Sequence, residues 1–75
     1  MALAGLKSYL KPLIIKCLEE IGGEATMAQL QSCLLRHSIE TYTDAGVMAI
    51  ASVLGGLARL GKVEKVKKFH YRLKK

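Results

Sequence analysis

Aromatic side chains are scarce in this 75-residue chain, which has one Phe, three Tyr and no Trp. With few large rings and just over half its residues hydrophobic, it must build its interior from Leu, Ile, Val and Ala. That composition suits a compact core packed mainly from helices and excludes a disordered tail. The length allows one domain, residues 1–75, and no second core. Long apolar runs are also missing. The uncharged stretch "AGVMAIASVLGGLA", residues 45–58, falls short of the roughly 20 apolar residues that cross a bilayer. The amino terminus lacks the basic start, apolar core and small-residue cleavage site of a secretory signal. A soluble, intracellular protein of the cytoplasm or nucleus, with no membrane contact, is expected.

Reactive chemistry is equally thin. Cys17 and Cys33 sit in apolar-periodic segments, with neither a CxxC pair nor a His at ligand spacing. They read as small buried hydrophobes with reduced thiols, so neither a disulfide nor a metal site is expected. His37 and His70 have no Asp, Ser or Cys arranged for nucleophilic catalysis. Glu19 and Glu20 are adjacent and cannot face each other on a helix. Gly55-Gly56 precedes no Lys-Ser/Thr pair, so there is no phosphate-cradling glycine loop. The sequence therefore predicts no enzyme, no cofactor and no small-molecule substrate.

Acidic residues are half as numerous as basic ones, and the imbalance is local. Through residue 61, Lys7, Lys11, Lys16, Arg36 and Arg59 cancel Glu19, Glu20, Glu24, Glu40 and Asp44. The last fourteen residues set Lys62, Lys65, Lys67, Lys68, Arg72, Lys74 and Lys75 against Glu64 alone, so the entire net charge of +6 lies there.

Periodicity supplies the elements. Tyr9, Leu10, Leu13, Ile14, Cys17, Leu18 and Ile21 recur at helical steps. Pro12, best tolerated in a first turn, predicts a regular start near Lys11, with residues 2–10 either a separate turn or a kinked continuation. Gly22-Gly23 ends this helix. Thr26 and Gln29 form a capping-box pattern ahead of a second helix over about 27–36, with Leu30, Cys33, Leu34 and Met27 facing inward. After "HSIETYT", any of Thr41, Thr43 and Asp44 can cap a third helix over about 44–60. At 100° per residue its core face is Val47, Ile50, Ala51, Leu54, Leu57 and Ala58. Its opposite face is Ala45, Met48, Ala49, Ser52, Gly56 and Arg59. Gly61 closes the helix. Phe69, Tyr71 and Leu73 then alternate with His70, Arg72 and Lys74, which marks a half-buried strand. "KVEKV" is its hairpin partner, joined around Lys67-Lys68 by a longer loop or a bulge.

This order, and above all "VLGGLARLGKV", resembles the winged helix-turn-helix family, in which a third helix with spaced leucines ends at a Gly and a Val opens the wing. "GGEATMAQL" resembles the family's entry into the second helix, where a residue or two before Thr26 form a third strand. The resemblance covers nearly the whole chain. It implies an α+β fold of mainly α character, with three helices and a small two- or three-stranded antiparallel sheet. It also implies binding of double-stranded DNA, with the third helix in the major groove and the wing on phosphates or the minor groove, in transcription regulation or genome maintenance. Carried onto this chain, the helix contacts are Thr43, Met48, Ser52 and Arg59. The wing contacts are Lys65, Lys67, Lys68, His70 and Arg72, with Lys62, Lys74 and Lys75 adding charge. The helix departs from the pattern, because base reading relies on Arg, Lys, Asn or Gln and its outward face is made of small side chains, one Met and a terminal Arg. Mostly phosphate contacts with limited sequence reading are expected.

The same fold also serves protein assembly. Ala45 and Ala49, like Ser52 and Gly56, are four apart, so with Met48 they offer a face for a homodimer or a protein partner. Gly55 and Gly56 each cost a helix about 1 kcal/mol relative to Ala, which predicts either a close backbone approach or a break there. Phe69 and Tyr71 are expected to close the core beneath the hairpin.

Overall fold

The computed structural model describes residues 3–74, with side-chain surroundings given from Tyr9 onward. Its elements are α1 (Leu3–Ile21), β1 (Glu24–Thr26), α2 (Met27–Arg36), α3 (Asp44–Arg59), β2 (Val63–Lys67) and β3 (His70–Leu73). It is a small α+β domain of three helices and one antiparallel sheet in the order β1-β3-β2.

Helix α1 runs through Pro12 instead of starting near it. Pro12 denies the carbonyl four residues earlier its donor. Leu10, just before it, is fully buried, and that packing holds the helix together across the missing bond. Tyr9, expected on the core face, is 63% exposed. Gly22 and Gly23 both take positive φ, and Gly23 N–H donates to the Leu18 carbonyl at 2.6 Å, ending the helix.

The capping box forms as its residues require. Gln29 Oε1 accepts from Thr26 N–H at 2.8 Å, and Thr26 Oγ1 accepts from Gln29 N–H at 3.2 Å. Of the three cap candidates for α3, Thr43 serves, its hydroxyl accepting from Gly46 N–H at 3.0 Å. Thr41 is buried instead, and its Oγ1 has no partner among the described residues. A buried hydroxyl without a partner costs about 1–3 kcal/mol, whereas a methyl in its place costs nothing in hydrogen bonds. Thr41→Val is therefore expected to stabilise the domain by about 1 kcal/mol, read as a higher urea midpoint at unchanged slope. A lower midpoint would mean that the hydroxyl has a partner after all.

Helix α3 is rotated from its expected phase. Gly46, Ala49, Ile50, Val53, Leu54 and Leu57 are buried, while Ala51 and Ala58 are exposed and Val47 is half-buried. A helix with so few polar markers has no strongly preferred face, and the fit against α1 selects one. The glycine pair neither breaks α3 nor admits a neighbour, since a Cβ at Gly55 or Gly56 would meet nothing within 4 Å. The close approach is at Gly46, where a Cβ would lie 2.5 Å from the Thr41 carbonyl oxygen.

The core gathers Leu10, Ile14 and Leu18 of α1 with Leu30 and Leu34 of α2, and with Ile50, Leu54 and Leu57 of α3, closed by Val63. Tyr71 and Leu73 pack against it, half-buried. Phe69 does not. It is 53% exposed, in the turn, with φ +62°.

The largest departure from expectation is covalent. Cys17 and Cys33 are joined by a disulfide with Cα atoms 6.0 Å apart, tying α1 to α2, so the thiols are not the free pair that the sequence suggested. Both are buried, as expected, but helix packing places them face to face. Among the described residues, no helix is long and apolar enough to cross a membrane.

Candidate functional site

The hairpin is built from a register that sorts its charges. Glu24, Arg72 and Glu64 lie side by side across the three strands, and Thr26 and Lys67 flank His70 two rows nearer the hairpin turn. Cross-strand neighbours of opposite sign attract, and here they pair. Arg72 Nη2 donates to Glu64, and His70 Nε2 lies 2.6 Å from Glu24 Oε2. Two of the side chains expected on phosphates are thus engaged within the sheet.

The lysines are not. Lys62, Lys65, Lys67, Lys68 and Lys74 are exposed, and none has an acidic partner among the described residues. Lys75 lies outside the described residues. A register shift between Lys65 and Lys67 bulges β2, and the turn that follows is Lys68-Phe69 instead of Lys67-Lys68. This displacement puts Phe69 in the left-handed region and out of the strand, where its ring lies 5.3 Å from Lys68 Nζ. The Phe69 carbonyl accepts from Met27 N–H at 2.9 Å, which pins the hairpin tip to the start of α2. At the other end, Lys62 N–H donates to the Leu57 carbonyl, and the Lys62 carbonyl accepts from Lys74 N–H, each at 2.9 Å. The lysines therefore ride on a hairpin held at both ends.

Between the hairpin tip and the first turns of α2 lies a groove of about 440 Å³, lined by Thr26, Met27, Ala28 and Gln31, by Lys67, Lys68, Phe69 and His70, and by Val47 of α3. On α3 itself, Met48 is 70% exposed, and Ala45, Ser52 and Arg59 are also exposed. Thr43 is exposed too, but its hydroxyl oxygen already caps the helix. Ala49, expected on the same outward face, is buried at 5% exposure and cannot be part of any interface there. Gly56 is half-buried, with open space beside it.

A second group, between α1 and the end of α2, escaped the sequence reading. Glu20 and His37 converge on the Cys17–Cys33 pair, and one ligand-capable atom from each of the four lies within 4.8 Å of the others. The signal was present: Cys17 and Glu20 are three apart on α1, and His37 follows Cys33 by four, so a His at ligand spacing does exist.

Comparison with known families, curated proteins and solved structures gives no match for this chain.

Proposed function

We propose that the chain is a winged-helix domain that binds double-stranded DNA inside the cell through the phosphates, with the β2–β3 hairpin as its wing. The observation that carries this is the set of five exposed lysines on one anchored hairpin, without acidic partners among the described residues, in a chain whose first 61 residues carry no net charge. The element order, with a short strand before α2 and a hairpin after α3, supports the winged-helix reading. Lys67 and Lys68 at the tip meet one strand, and Lys62, Lys65 and Lys74 extend the contact. Arg59 adds charge from the end of α3. Ser52 and Thr43 contribute hydrogen bonds at most. Arg72 and His70 shape the sheet through Glu64 and Glu24 and are secondary contacts. The outward face of α3 has no side chain suited to bidentate base recognition, so binding is general for duplexes. No catalytic step belongs to this reading.

Each lysine–phosphate contact releases condensed counterions, so affinity falls with salt at a slope of about −0.9 per contact. Five contacts predict a log–log slope of about −4.5, a loss of more than two orders of magnitude between about 50 and 200 mM salt. Fluorescence anisotropy with a labelled random-sequence duplex measures it. A flat salt response, or no binding at the lower salt, would remove the hairpin from the function.

A second reading has its own observation. Met48, largely exposed beside Ala45 and Ser52, and the open space at Gly56 suit a partner helix, or a second copy, docking on α3. Such apolar docking would be nearly indifferent to salt.

A further inference from the structure

The cluster around the two cysteines has the chemistry of a metal centre. Cys17 and Glu20 project from one face of α1, and Cys33 and His37 from the facing end of α2. Glu20 lies against both neighbours: its Oε1 is 3.5 Å from Cys33 Sγ, and its Oε2 is 3.6 Å from His37 Nε2. The sulfurs are buried, whereas the Glu20 and His37 side chains are 39% and 28% exposed. The result is a site with a dry floor and an open rim.

We infer that the reduced form of this protein binds one zinc ion through Cys17 Sγ, Cys33 Sγ, a Glu20 carboxylate oxygen and His37 Nε2. Two thiolates, an imidazole and a carboxylate are a tetrahedral zinc donor set, and the thiolates exclude hard cations such as Mg²⁺ and Ca²⁺. Zinc bonds of about 2.0–2.3 Å put neighbouring ligand atoms of a tetrahedron roughly 3.3–3.8 Å apart. Four atoms already within 4.8 Å of one another need only small side-chain rotations to reach that spacing, once the sulfurs are no longer bonded. Binding displaces one proton from each thiol. Two thiolates and a carboxylate around Zn²⁺ leave one net negative charge, and Arg36, with Nη2 4.0 Å from Glu20 Oε1, stands where it offsets that charge.

The disulfide is the oxidised, metal-free form of the same site. A peroxide converts one to the other: two zinc-bound thiolates give up two electrons to form the S–S bond, and hydrogen peroxide takes these with two protons to yield two waters, releasing Zn²⁺. A dithiol or phosphine reductant reverses the change. Zinc binding and the disulfide exclude each other, so metal content reports the redox state of the surroundings.

The test uses the full chain, reduced with a phosphine and kept free of oxygen, and titrated with Co²⁺ as a spectroscopic stand-in. A sulfur-to-cobalt charge-transfer band and tetrahedral d–d bands saturating at one Co²⁺ per chain, both bleached by one equivalent of Zn²⁺, are the expected result. His37→Ala and Glu20→Gln leave the cysteines intact and touch only the rim. Loss of even an outer-shell partner costs metal sites roughly 10- to 100-fold, so each of these direct-ligand variants should weaken zinc binding by about 100-fold or more. Hydrogen peroxide should then release zinc to a chromogenic chelator, with two thiols lost per ion. Absence of the charge-transfer band, unchanged affinity in both rim variants, or a reduced chain that loses its helical circular dichroism and does not regain it with zinc would each overturn the proposal.

Discussion

Replacing Lys65, Lys67 and Lys68 together with glutamine is expected to lower affinity for a random-sequence duplex by nearly three orders of magnitude at about 0.1 M salt. The counterion-release relation gives each contact a factor of about 8 at that concentration, hence roughly 500-fold for three. The log–log salt slope should shrink at the same time, by about 2.7. The second readout matters because a folding defect lowers active concentration without changing the slope. These side chains are exposed and have no ion-pair partner to lose among the described residues, so stability should move by no more than about 0.5 kcal/mol. Paired titrations at several salt concentrations, with a thermal melt of the variant, decide it. Full affinity with an unaltered slope would dismiss the hairpin as a phosphate clamp. Arg72→Gln provides the contrast. Its guanidinium donates to Glu64, so its loss should change the slope by much less than 0.9.

Gly46→Ala is expected to destabilise the domain by about 3 kcal/mol, lowering Tm by roughly 12–24 °C. The added Cβ would sit 2.5 Å from the Thr41 carbonyl oxygen and 2.7 Å from its Cα. Both are backbone atoms and neither can rotate away. The same carbonyl accepts from Gln31 Nε2 at 2.9 Å, so displacing it also breaks the bond that ties the α2–α3 connection to α2. Overpacking of this kind costs about 1–3 kcal/mol, and contact with backbone from more than one atom puts this site at the upper end. Gly55→Ala has the opposite sign. It lies on the same helix with nothing within 4 Å of its Cβ, and should gain about 0.5–1 kcal/mol from helix propensity alone. Calorimetry of the two variants reads a fall and a rise. Equal, small changes would show that the connection yields to α3.

The sequence by itself determined whatever depends on neighbours along the chain. The Thr26/Gln29 capping box, the helix ends at Gly22-Gly23 and Gly61, the bounds of α2 and the segregation of charge into the last fourteen residues follow from local hydrogen bonding, backbone freedom and composition. The short strand ahead of α2 was implied only by the family resemblance, which left the sheet at two or three strands. Tertiary structure alone decided the rest. Helix α3 presents apolar or small residues on nearly every side, so only its fit against α1 chose Ala49 for the core and Ala51 for the surface. The bulge in β2 moved the turn by one residue and put Phe69 outside, where simple alternation had placed it inside. Strand register, which no single strand encodes, engaged Arg72 with Glu64 and His70 with Glu24 and left Lys62, Lys65, Lys67, Lys68 and Lys74 without acidic partners among the described residues. Cys17 and Cys33 each look like one more small apolar residue on its own helix. They meet only because α1 and α2 pack with those faces together, and the same packing draws in Glu20 and His37. Pairings between elements depend on where backbones come to lie relative to one another, and that relation is set by the packed core as a whole.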